Sequence, residues 1–228
     1  PGMTSVHAKL AQLYPSRSGP VSSLLVEKLM QRSQGNPFYL EELLNYLHDR
    51  GLDPRDSTGL DKIELPDSLH KLVLSRIDQL SEHEKTTLRA ASIIGRSFRA
   101  AWLTGYYPVL GDLVHVKIDL DKLDSLDITP LDSEPELTYL FKHIVTHEVT
   151  YESLPFAIRA TLHEQLAVYL ESIGAPVDMI AQHYGRSNNQ VKQREYWLKA
   201  GDAAREAFNN EAALEYYERL LPLINEPR

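Results

Sequence analysis

The fold is decided first by residues 35–44, which read GNPFYLEELL. Asn36 is a good N-cap, Pro37 suits the first helical position, and the two glutamates lie near the positive end of the helix dipole. The leucines recur at helical spacing and give the helix one apolar face. Gly35 ends the preceding helix, because a left-handed backbone costs little only at glycine. The stretch therefore predicts two helices joined by a tight turn.

The composition predicts an acidic, soluble protein with more than one domain. Its 228 residues exceed a typical domain of about 100–150 residues. The 24 Lys and Arg residues against 32 Asp and Glu give a net charge of −8, which argues against a nucleic-acid partner. Without cysteine, the chain has no disulfide, thiolate metal site or cysteine nucleophile. No apolar run approaches the roughly 20 residues of a membrane helix and no signal peptide is present, so we expect a cytoplasmic protein with no membrane partner.

The chain divides at its polar stretches. Residues 1–20 are expected to form an N-terminal loop, whose first two residues resemble a cloning remnant, so that the chain is expected to be an excised fragment. Residues 21–60 contain the two helices around the Gly35 turn, predicted over 22–32 and 37–50. The stretch 51–64 is rich in Asp, Gly and Pro and indicates a linker and a domain boundary.

Residues 61–155 predict helices followed by one β-hairpin. A helix opens after Pro66, and Ser81 with Glu84 three residues later is a capping-box signal for the next. Two further helices are predicted, at about 99–106 and at 112–126. The only plausible strands are 128–131 and 136–141, separated by a turn. Helices followed by one small hairpin are typical of a winged helix.

Residues 156–228 are predicted to be helical to the end. The last two helices, near 190–208 and 211–224, pair bulky aromatic residues with Ala and Gly. Such pairs are typical of tetratricopeptide-type units of about 34 residues. The predicted fold class is therefore mainly α, with more than half of the chain helical. It comprises a helical lid fragment, a winged helix with one small hairpin, and the start of tetratricopeptide-like repeats that would continue beyond Arg228.

Several stretches also carry a family resemblance. SQGNPFYLEELL resembles the end of the ATPase module in the signal-transducing AAA-like (STAND) NTPases, most specifically the predicted ATPase region of bacterial class III adenylate/guanylate cyclases. LPDSLHKLVLSRIDQLSEHEKTTLRAASIIGRSF resembles the first half of the family's winged helix, and YLFKHIVTHEVTYESL its last strand and following helix. LHEQLAVYLE and AGDAAREAFNNEAALEYYERLLPLI resemble the start of its helical repeats. The resemblance runs from about residue 21 to the end.

The resemblance implies nucleotide-facing residues. In the family, the proline of a Gly-x-Pro turn touches the adenine, and Gly35 and Pro37 match that turn. A histidine after the last winged-helix strand approaches the β-phosphate of ADP, and His143 matches it, although Lys142 and Ile144 depart from the family's Met-His-Asp pattern. Pro37 and His143 are then expected to face a missing ATPase core and, with it, to bind ATP or ADP with Mg in the parent protein.

The chain itself lacks the residues of a catalyst. It contains no G-x-x-x-x-G-K-[ST] loop, and no predicted strand ends in an acidic pair for Mg²⁺. We therefore expect no enzyme activity, no catalytic residue and no cofactor in this segment. Its expected partners are the ATPase core and the effector domain of the same chain, with a protein partner on the helical repeats as an addition.

Other readings of the same residues are less favoured. His143 also suits a partly buried structural histidine. His143, His147 and Glu148 lack a third metal ligand at a recognisable spacing. The acidic run 119–127 resembles a calcium loop only in composition. DNA binding is disfavoured because the helix after the last strand carries Glu148 and Glu152.

These observations predict a non-catalytic regulatory segment of a multidomain STAND-type ATPase. It would couple the nucleotide state to an effector, in the first place a class III adenylate/guanylate cyclase. The alternatives are a helical-repeat scaffold for protein–protein interaction and part of a LuxR-type transcription regulator.

Overall fold

The computed structural model describes residues 23–52 and 65–225, together with Lys9 and Leu13. These residues form eleven α-helices and one three-stranded antiparallel sheet, and 71% of them are helical. The predicted fold class, mainly α with one small β element, is confirmed. The chain divides into two compact units, the first ending at Leu80 and the second beginning at Ser81.

The described part of the first unit consists of three helices: α1 (Ser23–Ser33), α2 (Pro37–Asp49) and α3 (Leu69–Asp78). The start of α2 is as predicted. The Asn36 side chain accepts hydrogen bonds from the backbone N–H groups of Phe38 and Tyr39, at 3.0 and 3.3 Å. Gly35 has φ 78°, the left-handed backbone expected between the helices. The core of the unit is formed largely by one face of α2: Leu40, Leu43, Leu44 and Leu47.

A buried ion network joins α2 to α3. The Arg76 guanidinium donates to Glu42 through Nη1 at 2.6 Å and to Asp49 through Nε at 2.9 Å. The side chains of Arg76 and Glu42 are only 5% and 4% exposed. Burial by itself lowers the pKa of Arg76, but the two carboxylates outweigh burial and raise it. Glu42 is therefore a structural residue, and on the other side of the helix Glu41 pairs with Lys9 at 3.0 Å.

The division into compact units falls after Leu80, whereas the predicted domain boundary lies at residue 60, and the domain division itself stays a prediction. The predicted linker falls mostly on residues 53–64, which lie outside the described residues, as do most of residues 1–20. Helix α3, which the sequence placed in the winged-helix segment 61–155, belongs to the first unit. It is held there by the Arg76 network and by the Tyr39 hydroxyl, which donates to the Pro66 carbonyl at 2.8 Å.

The second unit begins with the elements of the predicted winged helix. They are α4 (Glu82–Ile94), β1 (Ser97–Arg99), α5 (Ala100–Tyr106), a 3₁₀ turn (Pro108–Leu110), α6 (Leu113–Ser125), β2 (Leu131–Ser133) and β3 (Thr138–Leu140). The capping box of Ser81 and Glu84 is present. In the sheet the order is β1-β3-β2, with both pairs antiparallel. A helix, a strand, two helices and a hairpin whose last strand pairs with the first is the winged-helix arrangement.

Strand β1 corrects the sequence prediction, which placed strands only in the hairpin. Phe98 lies opposite Tyr139 in the β1–β3 register, and their rings stack with centroids 6.0 Å apart. Three residues are too few to show the period-two pattern of a strand. The hairpin also differs in detail, because Ser133, predicted to lie in the turn, still pairs with Thr138.

Five helices complete the second unit: α7 (Ile144–Glu152), α8 (Phe156–Ser172), α9 (Val177–Tyr184), α10 (Gln190–Glu206) and α11 (Asn210–Asn225). From α8 onward each helix packs on the next. The predicted pairing of bulky and small residues is confirmed at Gly201, where a Cβ atom would lie 2.5 Å from the Tyr217 ring. The i, i+4 spacing of Ile158, Leu162 and Leu166, continued by Ile173, predicts one buried apolar stripe for α8. Leu162 and Leu166 are buried, but Ile158 and Ile173, the residue just after the helix, are exposed.

We predict that Arg76→Met lowers the free energy of unfolding by about 3–5 kcal/mol, because it leaves the buried Glu42 carboxylate without its cation. Urea unfolding followed by far-UV circular dichroism measures the loss. Lys71→Met, on the same helix as Arg76, is the matched control. It removes a cation only from an exposed ion pair with Asp67. Equal effects of the two substitutions would contradict the assigned role of the buried network.

Candidate functional site

The Gly35–Pro37 turn projects from the first unit beside a charged groove. Pro37 is the exposed first residue of α2. An open groove of about 830 Å³ lies next to the turn, and Gln34 forms part of its wall. The other lining residues are Lys28, Gln31, Arg32, Leu65, Pro66, Asp67 and Lys71. The turn predicted from the sequence is therefore exposed and adjoins a groove of mixed charge.

Charged side chains line this groove. Among the lining residues that the structure describes, Lys28, Arg32 and Lys71 are cationic and Asp67 is anionic. Lys71 donates to that carboxylate at 2.8 Å, and this hydrogen bond lowers the pKa of Asp67. The described wall of the groove is therefore rich in cationic side chains, in a protein of net charge −8. Its chemistry suits an anionic group more than a cation or a metal ion.

His143 lies at the junction of sheet and helix in the second unit. It follows β3 with an extended backbone and occupies the N-cap position of α7, although its side chain does not cap that helix. The residues before it are fixed, because the Phe141 N–H donates to the Arg96 carbonyl at 2.8 Å and Lys142 forms an ion pair with Asp127. The side chain of His143 is half-buried.

The predicted site residues thus lie in two different units. Gly35 and Pro37 belong to the first and His143 to the second, and a shared face for them stays a prediction. The neighbouring His147 donates from Nε2 to the Ser92 carbonyl at 2.9 Å. Within residues 23–52 and 65–225, no three His, Asp or Glu side chains are grouped as metal ligands would be.

A winged helix that binds DNA inserts one recognition helix into the major groove. The sequence argument against DNA binding used the wrong helix for this role. The helix ahead of the hairpin, which corresponds to the recognition helix, is α6 and not the α7 helix that carries Glu148 and Glu152. The acidic run 119–127 lies largely on α6, so it is a helix and not a calcium loop. Its lysines, Lys117 and Lys122, are fewer than its aspartates, so α6 too lacks the basic surface of a DNA reader.

A chain of four polar rings, half-buried at its start and buried at its end, was not foreseen from the sequence. His147 of α7 stacks on Tyr151, Tyr151 contacts His163 of α8, and His163 stacks on His183 of α9, with centroids 6.3, 5.8 and 5.2 Å apart. His163 Nδ1 and His183 Nδ1 share a hydrogen bond of 2.9 Å, and the Tyr151 hydroxyl lies 3.0 Å from His163 Nε2. These rings link three successive helices through one hydrogen-bonded stack.

The two paired histidines are neutral at ordinary pH. His163 is fully buried and His183 almost so. Burial lowers the pKa of His163 to about 3, helped by His183, Arg186 and Arg159. Burial also lowers the pKa of His183 to about 4, and Arg186 adds to the effect. One ring must donate its Nδ1–H and the other accept, which two imidazolium ions cannot do.

The sequence carries a weak signal for this stack. His163 directly follows the buried Leu162 and lies three residues before the buried Leu166. Helical spacing therefore places His163 on the buried face of α8. His183 stands between the buried Ala181 and Tyr184. A histidine at an apolar helical position is often a core residue, but its partner on another helix cannot be read from spacing.

Compared with models of known protein families and with curated proteins, the chain matches none. Among the helices that the structure describes, none has the length and apolar character to cross a membrane.

The histidine pair predicts a loss of stability on acidification. Above pH 6.5 both rings are neutral in the folded and the unfolded chain. Below it the unfolded chain takes up protons while the folded chain does not, so stability falls as the pH drops from 6.5 toward the folded pKa values of about 3 and 4. We expect a loss of about 2 kcal/mol for each histidine between pH 7 and pH 5.

Urea unfolding of the wild type and of His183→Gln at pH 7 and pH 5 measures this loss. The variant removes one of the titrating rings, so its stability should change less between the two pH values than that of the wild type. His70→Gln, at an exposed position, is the control. An unchanged pH dependence in His183→Gln would refute the assignment.

Proposed function

We propose that the chain, from about residue 21 to its end, is a non-catalytic regulatory segment of a larger STAND-type ATPase. In the parent protein it couples the nucleotide state to an effector, a class III adenylate/guanylate cyclase in the cytoplasm. The observation that carries this proposal is the order of three parts along the chain. They are a capped Gly-Asn-Pro turn, a winged helix with sheet order β1-β3-β2, and helices that pack in succession.

The surroundings of the turn support a nucleotide-facing role. The exposed Pro37 ring offers an apolar contact for a base, and Arg32 lines the adjoining groove, where its guanidinium would meet an anion. A nucleotide presents both an apolar ring and negative charge. ATP or ADP with Mg would be held mainly by the ATPase core of the parent, and this segment would close over it.

The position of His143 supports a second contact. It stands at the start of α7, from which the stack of His147, Tyr151, His163 and His183 leads into α8 and α9. A nucleotide that contacts His143 in only one state would favour one position of α7. This stack would carry that difference toward the helical repeats.

A scaffold for a protein partner is the second candidate. Apolar side chains stay exposed on the last helical pair, at Leu198, Leu214, Leu221 and Ile224. Helical repeats of this kind commonly bind other proteins through their surfaces. A transcription regulator is less favoured, because α6 carries more acidic than basic residues.

In the full-length parent, His143→Ala should weaken ADP binding and change the effector activity while leaving the fold intact. The reason is that the histidine contacts the nucleotide without belonging to the core. The measurements are ADP affinity and effector turnover, with the melting temperature as the folding control. His115→Ala, an exposed histidine of the same winged helix, is the matched variant. Unchanged affinity and activity in His143→Ala would make His143 a structural residue only.

The segment by itself should neither hydrolyse ATP nor form a cyclic nucleotide, because it contains no phosphate loop and no Mg²⁺-binding carboxylate pair. Its own affinity for ATP should be negligible, since the phosphate-binding backbone amides lie in the ATPase core. A phosphate-release assay and calorimetry with ATP test both statements. ATP hydrolysis or cyclic-nucleotide formation above the blank by the purified chain would overturn the proposal that catalysis belongs to other parts of the parent protein.

A further inference from the structure

Helices α10 and α11 expose an apolar surface on one side of the pair. We define the α10–α11 face as Val191 and Leu198 of α10 with Leu214 and Leu221 of α11, which are 74%, 48%, 61% and 55% exposed. Single exposed apolar residues are normal on a protein surface. Four that share one side of two packed helices form a patch, and such patches mark interaction sites.

The contact between Gly201 and Tyr217 places these side chains on the same side. A Cβ atom at Gly201 would lie 2.5 Å from the Tyr217 ring, so the two residues mark the line along which the helices touch. A short turn joins the helices, which therefore run antiparallel. Leu198 lies three residues before Gly201, as Leu214 lies three residues before Tyr217, and Leu221 continues the row seven residues later. Equal displacements in the same rotational sense fall on the same side of an antiparallel pair.

The opposite side of α10 is covered by α9. Tyr184 of α9 stacks on Tyr196 of α10 with ring centroids 5.1 Å apart, and both rings are buried. Leu198 follows Tyr196 by two residues, which turns it about 160° away from that contact, since each residue advances a helix by about 100°. Val191, seven residues before Leu198, lies on the same face. An ordinary surface helix has a single apolar stripe, so the second row on α10 has no explanation in the packing on α9.

The two halves of the α10–α11 face carry opposite charge. On α10 the exposed Arg194 and Arg205 stand at helical spacing in the row of the apolar pair. Asp202 lies beside them and forms an ion pair with Arg205 at 3.6 Å. On α11 the exposed Glu211 and Glu218 stand in the row of its leucines. Two arginines against one aspartate leave the α10 half positive, and two glutamates make the α11 half negative.

The other charged side chains of the two helices do not alter these signs. Glu206 lies eight residues after Leu198, which places it about 80° around the helix from the apolar row. The rest are neutralised in ion pairs, which are Lys192 with Glu171, Lys199 with Glu195, and Arg219 with Glu215.

We propose that the α10–α11 face is the contact between two copies of this chain. A two-fold axis parallel to the helices places α10 of each copy over α11 of the other, in a four-helix bundle. The apolar rows then meet, and a positive half lies against a negative half twice. An axis across the helices would instead stack α10 on α10, with arginines facing arginines.

The same symmetry fixes which residues meet. Rotation about an axis parallel to the helices leaves each residue at its own level along that axis. Gly201 and Tyr217 share a level within one copy, so Leu198 comes opposite the partner's Leu221. Arg205 comes within two residues of the level of the partner's Glu211. An apolar pair and an ion pair therefore form twice across the contact.

The size of the face is sufficient for a specific dimer. Helices of 17 and 16 residues are about 25 Å long, and two side by side are about 20 Å wide. This is about 500 Å² for each copy and about 1,000 Å² in total, at the lower end of specific interfaces. The dimer is accordingly expected to be reversible, with a Kd of about 1–100 µM.

Other occupants of the face are disfavoured by charge. A nucleic acid, or a helix of uniformly basic or acidic character, would be repelled by one of the two halves. A second copy carries both signs in the matching order by symmetry. The contact requires no nucleotide and no ATPase core, so its test is independent of the one for the proposed function.

Sedimentation velocity of the purified chain over a range of concentrations around the expected Kd tests the proposal. We expect a monomer–dimer equilibrium that Leu198→Ser/Leu221→Ser weakens about tenfold or more. Arg205→Glu and Glu211→Arg should each weaken the dimer about fivefold, because each places like charges opposite each other. The two reversals combined restore opposite charges across the contact and should bring the dimer back toward wild-type affinity.

Val114→Ser/Ile118→Ser is the control, because it removes an equally exposed apolar pair from α6. It should dimerise like the wild type, and all variants should keep the wild-type far-UV circular dichroism, since no substituted side chain is buried. A chain that stays monomeric throughout would overturn the proposal, as would a dimer that Leu198→Ser/Leu221→Ser leaves intact. A combined charge reversal no better than the single ones would also contradict it. So would a wild-type monomer that instead binds a labelled basic or acidic helical peptide through Leu198 and Leu221.

Discussion

The second unit depends on the aromatic contact beneath its sheet. Three strands of three residues each form too few hydrogen bonds to be stable alone. The Phe98 ring stacks on Tyr139 across the β1–β3 pair and contacts Phe141 at 5.8 Å. All three side chains are buried. Phe141 in turn meets His147 edge to face at 5.1 Å, so the same aromatic core that holds the sheet also fixes α7.

The features that the sequence predicted well have local causes. The Asn36 cap and the Ser81–Glu84 capping box are decided within three residues of chain. The buried row Val116, Leu120 and Leu123 follows from helical periodicity. At the candidate site, the conformation of the Gly35–Pro37 turn was predicted for the same reason, because a cap and a proline fix the backbone around them.

The features that were missed are decided by distant partners. Arg76 lies 34 residues from Glu42, and no local sequence pattern around either residue predicts their ion pair. His163 and His183 are 20 residues apart and bond across two helices. Strand β1 exists only because β3 offers it hydrogen bonds and a ring to stack on. Ile158 and Ile173 show the reverse case, in which periodicity extended an apolar row beyond the part of it, Leu162 and Leu166, that the fold buries.

A polar stack with a buried histidine pair is a costly way to join helices, since aliphatic side chains would pack without hydrogen-bond requirements. Its advantage is geometric. The hydrogen bonds of His163 to His183 and to Tyr151 are satisfied in one relative placement of α7, α8 and α9, whereas an aliphatic contact tolerates sliding. In the proposed regulatory role, a shift of α7 at His143 would therefore either break these bonds at a cost or carry α8 and α9 with it. A rigid connection of this kind suits a segment whose purpose is to convey a nucleotide-dependent displacement to the helices that follow.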